Sequence, residues 1–281
     1  MCQPCIVTLA QKVPELPEVE TIKNELLPWV VGQSFTQATI LDAKLLPDSC
    51  VEELEHELTG QMIESLERRG KYLVFHLSSD KSLVMHLRMT GALLVNPERP
   101  DPHARASFRF SNGIQLVLSD LRRLGVIWLV EDAQAVVGKL GPEPLSESFT
   151  PDDLAQRLSQ HRIPIKAALI DQSIIAGIGN MYADEALFAA GIHPLRKVDT
   201  LSVREIQKLY RSIREVLSSA IARKGASVDT YVRPEGQLGR AQLDFRVAHR
   251  RGQSCPVCGA PIERTLVRNR GSYFCPNCQL L

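Results

Sequence analysis

Four cysteines near the carboxyl end carry the most specific chemistry in this chain of 281 residues. Cys255, Cys258, Cys275 and Cys278 form the pattern Cys-x2-Cys-x16-Cys-x2-Cys. Two close pairs separated by a short hairpin allow four thiolates to converge on one ion, which is the spacing of a zinc ribbon. Two disulfides are the alternative, and a reducing compartment disfavours them. The sequence therefore predicts one structural Zn²⁺ held by these four thiolates.

A second candidate for chemistry lies in residues 14–20, which read Pro-Glu-Leu-Pro-Glu-Val-Glu. Within a chain the nitrogen of Pro14 is a tertiary amide, whereas at a free amino terminus it is a secondary amine that can act as a nucleophile. Glu15 beside it could then move protons, as imine chemistry requires. The same residues also describe a helix start, with Pro17 at the first helical position and acidic side chains that complement the helix dipole. The two interpretations are compatible.

The composition is that of a globular protein whose charge is unevenly distributed. Hydrophobic residues make up 44% of the chain and charged residues 23%, and no apolar run approaches the roughly 18 residues of a membrane span. The net charge is +1, yet residues 195–281 hold 16 Lys and Arg against 7 Asp and Glu, while residues 1–194 hold 17 against 25. A basic carboxyl-terminal third suits a polyanion, although a solvated basic face gives the same count.

The elements that must position these residues fall into two groups, separated by a linker at 138–144. Before the linker, a helix that starts at Pro17 is followed by short apolar segments with turn signals, a pattern typical of a β-sandwich. The predicted strands are 35–41, 62–68, 72–77, 82–87, 92–95, 106–110, 115–119 and 126–130, with a further helix at 51–58. After the linker the pattern is helical, at 151–160, 164–169, 181–190 and 203–224.

Several chemically useful side chains fall in the turns between these elements. Lys71 lies in a predicted hairpin turn, and Met89 and Arg122 lie at the tips of two further turns. Asn180 is expected to cap the helix 181–190 and to leave its backbone N–H groups free for an anion. Arg270 lies in the ribbon hairpin. Each of these residues, taken singly, has an ordinary structural explanation.

Together and in this order, the motifs resemble the bacterial formamidopyrimidine-DNA glycosylase family, whose members remove oxidised purines from DNA. The resemblance covers residues 14–281 and rests on segments 14–20, 69–73, 86–91 and 177–188 and on the cysteine ribbon with Arg270. The related endonuclease VIII branch, which prefers oxidised pyrimidines, typically continues its opening Pro-Glu with Gly-Pro-Glu. The residues that follow Glu15 here look like the purine branch.

This resemblance implies an α+β multidomain fold. An N-terminal β-sandwich with flanking helices would occupy residues 14–137, a helix-two-turn-helix domain residues 138–240, and a C-terminal zinc ribbon residues 241–281. DNA would lie in the cleft between the domains. Residues 1–13 would be a non-native extension.

The resemblance also implies a bifunctional glycosylase and lyase. Pro14 would attack C1′ of the damaged nucleotide and form a Schiff base with the opened sugar, and Glu15 would act as the acid and base. Lys71 and Arg270 match the family positions for proton transfer and phosphate binding during β- and δ-elimination. An iminium withdraws electrons from the sugar, and cations beside the phosphates stabilise the charge that develops there.

Other residues match the family's DNA contacts. Met89 and Arg122 correspond to the side chains that fill the hole left by the extruded base. Leu124 stands where a phenylalanine often follows the two arginines, so it would stack less well on bases. His103, Arg162, Lys166 and Asn180 fall at or near phosphate-contacting positions. A loop covering the lesion is expected within residues 227–242.

The thirteen residues before Pro14 would block its nitrogen. We expect translation to start at the codon of Val13, because GTG encodes valine internally and methionine at a start; proteolytic trimming is an alternative. A non-catalytic binder of damaged DNA, an oxidised-pyrimidine glycosylase and a zinc-ribbon adaptor are competing functions, but an adaptor leaves Lys71 and Asn180 unexplained. The expected partner is double-stranded DNA with oxidised purines. We expect no membrane contact and a monomer in the bacterial cytoplasm, associated with the nucleoid.

Overall fold

A computed structural model describes residues 14–228 and 230–281. The predicted extension of residues 1–13 lies outside the described residues. Within them the predicted α+β architecture is confirmed, because a β-sandwich is followed by a helical region and a small two-stranded ribbon.

Eight short apolar strands build the sandwich, close to the predicted positions. They are β1 (Phe35–Ile40), β2 (Ile63–Arg69), β3 (Tyr72–Leu77), β4 (Ser82–His86), β5 (Gly91–Val95), β6 (Ala104–Phe110), β7 (Gln115–Asp120) and β8 (Val126–Val130). Neighbouring strands pair antiparallel in two sheets, with strand orders β1-β6-β7-β5 and β2-β3-β4-β8. Their facing aliphatic and aromatic side chains form one continuous core, as expected for two packed sheets.

Two loops at one end of the sandwich cross from one sheet to the other. The first joins β4 to β5 and the second joins β7 to β8. Because β4 pairs with β8 and β5 pairs with β7, the two loops lie side by side. They carry Met89 and Arg122, the side chains predicted to enter the DNA.

Helix α1 (Leu16–Val30) belongs to two hydrophobic cores. Leu16 packs in the core of the helical region, whereas Val19, Ile22 and Leu26 pack in the core of the sandwich. The helix begins one residue earlier than predicted, so that Pro17 occupies its second position. A proline so close to the start costs no helical hydrogen bond, since the first backbone N–H groups of a helix have no partner within it.

The remaining helices flank the sandwich or build the helical core. They are α2 (Val51–Leu58), α3 (Gln134–Val137), α4 (Pro151–Ser159), α5 (Ile165–Leu169), α6 (Asn180–Ala190) and α7 (Val203–Ala222). The predicted capping box of α7 is confirmed, because Ser202 and Glu205 each accept from the other's backbone N–H, at 3.3 and 2.8 Å. The helix ends before the predicted residue 224, since Lys224 and Gly225 adopt φ angles of +64° and +75°.

The zinc-ribbon segment contains β9 (Glu263–Val267) and β10 (Arg270–Phe274), joined by a turn in which Arg268 and Asn269 have positive φ. Its small core includes Phe188 from α6, so the ribbon is packed on the helical region. Among the described residues no helix is both long enough and apolar enough to cross a membrane.

Candidate active site and zinc centre

The four cysteines converge as predicted. Their sulfur atoms all lie within 4.8 Å of one another, with 3.8 Å between Cys255 and Cys278 and 3.4 Å between Cys258 and Cys275. Tetrahedral zinc with Zn–S bonds of about 2.3 Å requires sulfur–sulfur separations of about 3.8 Å. The arrangement therefore fits one structural Zn²⁺, which would hold the ribbon hairpin between its two knuckles.

Pro14 and Glu15 lie in the interior, where the sandwich meets the helical region. Both residues are buried, and the Glu15 side chain is 3% exposed. Its carboxylate accepts backbone N–H groups at the start of α6, from Gly179 at 2.7 Å, Met181 at 2.9 Å and Tyr182 at 3.4 Å. The carboxyl group of Glu15 therefore already occupies the start of α6.

This contact corrects the sequence prediction for α6. Asn180 is the first residue of the helix and Gly179 is its cap, so the predicted Asn180 cap is wrong. The reason is steric, because a Cβ on Gly179 would lie 2.3 Å from Cδ of Glu15. Only glycine allows the carboxylate to approach the helix terminus so closely.

Lys71 lies in the turn between β2 and β3, as predicted, and interacts electrostatically with Glu15. Burial lowers the pKa of the Lys71 ammonium, and the positive charge of Arg270 lowers it further, against the opposing effect of Glu15. Burial raises the pKa of Glu15, although Lys71 and the three backbone donors oppose that shift. Both pKa values are thus shifted toward neutral pH, where a group can both accept and donate a proton during a reaction.

The hairpin that carries Lys71 is fixed by one carboxylate from the linker. Glu143 pairs with Arg68 at 2.7 Å and with Arg69 at 2.9 Å, and it accepts the backbone N–H of Gly70 at 2.6 Å. The two arginines are therefore engaged in ion pairs within the protein. Lys71 is the cation in this turn that remains for chemistry.

Arg270 opens β10, and the residue after it is held by side chains of the helical region. Nζ of Lys166 and Nδ2 of Asn180 both donate to the carbonyl of Gly271, at 3.1 and 3.0 Å. Lys166 also pairs with Asp184 at 2.7 Å, and these two side chains are 0% and 1% exposed. The start of β10 is thereby fixed against α5 and α6, while the Arg270 side chain is exposed.

The phosphate contact of Lys166 that the family resemblance implied stays a prediction, and in the structure the side chain has partners within the protein. Its amine is buried and lies between Asp184 and Gly271, and burial lowers its pKa. Burial likewise raises the pKa of Asp184, to about 7. The sequence indicated a cation at this position, but it could not indicate that the cation faces the ribbon.

The side chains predicted to fill the DNA stack meet at the end of the sandwich. Nη1 of Arg122 lies 3.4 Å from the sulfur of Met89, and the side chain of Leu124 is 39% exposed. The second arginine of this loop, Arg123, is instead paired with Asp42, at 2.5 Å from its Nε. One side chain of the arginine pair thus faces outward and the other anchors the loop.

Three comparisons with known proteins agree on the family. Models of the formamidopyrimidine-DNA glycosylase N-terminal domain, of its H2TH domain and of the zinc finger found in FPG and IleRS match residues 13–127, 140–232 and 252–280. The formamidopyrimidine-DNA glycosylase of Symbiobacterium thermophilum is 43% identical, over 95% of this chain and 89% of its own. This chain belongs to the formamidopyrimidine-DNA glycosylase family.

Solved structures of family members have the same fold. The MutM (Fpg) protein of Thermus thermophilus is 39% identical, with a TM-score of 0.87 over 95% of this chain and 98% of that one. A Lactococcus lactis FPG mutant in complex with Fapy-dG-containing DNA is 35% identical, with a TM-score of 0.89 over 95% and 100% of the two chains.

Two further DNA contacts that the family resemblance implied stay predictions. Arg162 is 90% exposed and lies 4.0 Å from Asp199, so its guanidinium is available to a ligand. His103 is half-buried, in the turn before β6, where its backbone N–H donates to Asp101 at 2.7 Å.

Sequence reasoning gave Glu18 only a role at the helix dipole, and the structure gives it a larger one. Its buried carboxylate accepts the Tyr182 hydroxyl at 2.6 Å and the backbone N–H groups of Ala226 and Glu15, both at 2.8 Å. Burial raises its pKa to about 7, with the charge of Glu15 as the second cause. Glu18 thus joins Glu15 to Ala226, the residue just before the predicted lesion loop at 227–242. The spacing of three residues between the two glutamates was the available signal.

Proposed function

We propose that this chain is a base-excision DNA glycosylase for oxidised purines with abasic-site lyase activity. The observation that carries the proposal is the Pro14-Glu15 pair, which is buried between two domains and lies beside a lysine of lowered pKa. The relative in complex with Fapy-dG-containing DNA supports the class of lesion.

The proposed nucleophile is the nitrogen of Pro14, and it requires a free amine. We infer that the functional chain begins at Pro14, through initiation at Val13 and methionine removal or through proteolysis. The match to the family's N-terminal domain begins at residue 13, which supports this boundary. A secondary amine that forms an imine becomes a positively charged iminium, which no internal peptide nitrogen can do.

In the first step the lone pair of Pro14 attacks C1′ of the damaged nucleotide. The bond from C1′ to the base breaks, and its electron pair leaves with the base, which takes up the proton that the Pro14 nitrogen loses. Opening of the sugar then converts the C1′ adduct into an iminium. Glu15 is the proposed acid for the sugar oxygen, because burial raises its pKa and favours the protonated form that can donate.

In the second step the iminium draws electrons from the sugar, so that a proton can leave C2′ and the 3′-phosphate can depart. Repetition of the elimination releases the 5′-phosphate. Lys71 is the proposed group that transfers protons, since burial lowers its pKa. Arg270, exposed at the start of β10, is proposed to bind the phosphate and stabilise its charge.

The surface around this centre supports DNA as the partner. Met89, Arg122 and Leu124 are proposed to fill the space of the extruded base. The residues proposed to contact phosphates are His103, Arg162, Lys166 and Asn180. The zinc-bound cysteines would keep Arg270 in place, because both lie in the ribbon. We propose domain bounds at 14–137, 138–240 and 241–281, and a monomer that works on the nucleoid in the bacterial cytoplasm.

Borohydride trapping on an 8-oxoguanine duplex tests the proposal. Zinc-loaded protein that begins at Pro14 is expected to form a covalent protein–DNA adduct, whereas protein that retains residues 1–13 is expected to form none. A Pro14→Gly variant keeps an amino-terminal amine but lacks the proline ring. Comparison with the Pro14 protein therefore shows what the ring contributes beyond the amine. If the Pro14-initiated protein binds the duplex without forming an adduct, the competing function of a non-catalytic damage binder is the correct one.

The amino terminus itself is tested by intact mass. We expect the native protein isolated from its source to have a mass that excludes residues 1–13. A native protein that retains these residues and still forms the adduct would refute Pro14 as the nucleophile.

A further inference from the structure

Leu87 anchors the start of the first loop in the sandwich core, but the tips that carry Met89 and Arg122 have little hydrophobic support. Arg88 is exposed and adopts a φ of +52°, and Arg123 in the second loop adopts +57°. Leu121 is 55% exposed at the tip. Hydrogen bonds, together with the ion pair between Arg123 and Asp42, must therefore position these tips.

One buried carboxylate supplies those hydrogen bonds. Asp120 is the last residue of β7 and is 0% exposed. Its Oδ2 accepts the backbone N–H groups of Leu124 and Gly125, both at 2.7 Å, and its Oδ1 accepts that of Arg122 at 3.1 Å. Three backbone donors of the second loop thus converge on a single side chain, which fixes the loop as a rigid turn.

The same carboxylate also holds the first loop. The hydroxyl of Thr90, the residue after Met89, donates to Oδ1 of Asp120. Thr90 Oγ1 in turn accepts the backbone N–H of Arg122 at 3.1 Å. The Thr90 hydroxyl therefore joins the first loop to the second through two hydrogen bonds, one donated and one accepted.

Rigid coupling of the loops has a consequence for DNA. The sulfur of Met89 and the guanidinium of Arg122 are 3.4 Å apart, so they form one continuous tip. A base that leaves the stack opens a hole that costs a few kcal/mol, and two side chains that enter together fill more of that hole than one side chain alone.

We propose that Asp120 and Thr90 are positioning residues that lock the two loops into one unit for insertion into DNA, an inference that rests on the proposed glycosylase function. Neither residue touches the reacting atoms. They act through Met89 and Arg122, and their contribution is to the extrusion of the damaged nucleotide.

The test compares Thr90→Val with Thr90→Ser in zinc-loaded protein that begins at Pro14. Valine keeps the shape of threonine without the hydroxyl, whereas serine keeps the hydroxyl. We expect Thr90→Val to lower kcat/KM for excision from an 8-oxoguanine duplex by about tenfold and Thr90→Ser to remain within about twofold of the unchanged protein. Cleavage of an abasic site in a single-stranded oligonucleotide, which has no stacked partner to leave, is expected to be equal in all three.

A spectroscopic measurement adds a second readout. 2-Aminopurine placed beside the lesion should become bright on binding of the unchanged protein and of Thr90→Ser, and should brighten less with Thr90→Val. Excision by Thr90→Val at the unchanged rate would overturn the proposal, as would equal losses on the duplex and the single strand, since these indicate a general structural defect. Failure of the unchanged protein on both substrates would instead refute the proposed function.

Discussion

Replacement of Lys166 by methionine tests whether the buried ion pair fixes Arg270. The side chain of Lys166 is fully buried and lies 2.7 Å from Asp184. Methionine fills a similar volume without the charge. The variant leaves the Asp184 carboxylate buried and without its cation, and it also removes one of the two donors to Gly271.

Loss of one partner of a buried pair costs about 3–5 kcal/mol, because the remaining charge is desolvated without compensation. For a chain of this size each kcal/mol lowers the melting temperature by about 2–4 °C, so the expected decrease is on the order of 10 °C. The decrease should be smaller at pH 5.5 than at pH 8.5. Burial already raises the pKa of Asp184 to about 7. Without Lys166 it rises further, so at low pH the carboxyl is protonated and its burial costs less.

The measurements are thermal unfolding at the two pH values and single-turnover strand cleavage at a preformed abasic site. Arg162→Met is the matched control for thermal unfolding, since this cation lies four residues away and is 90% exposed. Its loss should change the free energy of unfolding by no more than about 0.5 kcal/mol. The double variant Lys166→Met with Asp184→Leu should recover much of the stability, because no charge remains buried. An equal decrease in melting temperature at pH 5.5 and pH 8.5, relative to the unchanged protein, would refute the reasoning. A double variant as unstable as the two single losses added together would also refute it.

Three further outcomes are expected. Gly179→Ala should lower base excision by at least about a hundredfold, because its Cβ would lie 2.3 Å from Cδ of Glu15 and displace the carboxylate. Glu18→Gln should flatten the pH dependence of stability: the folded-state pKa of about 7 exceeds the ordinary value of 4.5, so unchanged protein loses up to about 3 kcal/mol as pH rises between these values. Removal of zinc by a chelator, or Cys258→Ser, should unfold the ribbon and abolish DNA binding, whereas Cys50→Ser, at an exposed cysteine outside the cluster, should change neither.

Each of these outcomes can fail in a definite way. Normal excision by Gly179→Ala, measured on the 8-oxoguanine duplex, would show that Glu15 does not need its place at α6. Parallel stability curves for Glu18→Gln and the unchanged protein between pH 5 and 8 would contradict a buried, protonated Glu18. DNA binding that survives complete zinc loss would show that the folded ribbon is not required for the DNA interface.

The parts of the fold that depend on local chemistry were predictable from the sequence. Strand positions follow from alternating apolar residues, and the zinc ligands follow from cysteine spacing. Lys71 was predicted in its turn because Gly70, with a φ of +59°, marks the hairpin. Each of these signals lies within a few residues of the feature it predicts.

The contacts that assemble the site were not predictable in this way. Glu15 occupies the start of α6, more than 160 residues away in the chain, and nothing near either segment announces the pairing. Lysine is usually a surface residue, so nothing in the sequence indicates that Lys166 is buried. Its burial depends on the packing of the ribbon against α5 and α6. Partners that are distant in sequence leave no periodic signal, so tertiary structure is needed to identify them.

Because α1 is anchored in two cores, the segment at its amino end cannot follow one domain alone. Leu16 is fixed to Gly177 by a backbone hydrogen bond of 3.0 Å, while the later turns of the helix are fixed to the sheets. The residues around Pro14 and Glu15 are therefore tied to the helical region directly and to the sheets through α1. A change in the packing of either core would therefore reach this amino-terminal segment, even if it occurred at the far end of α1.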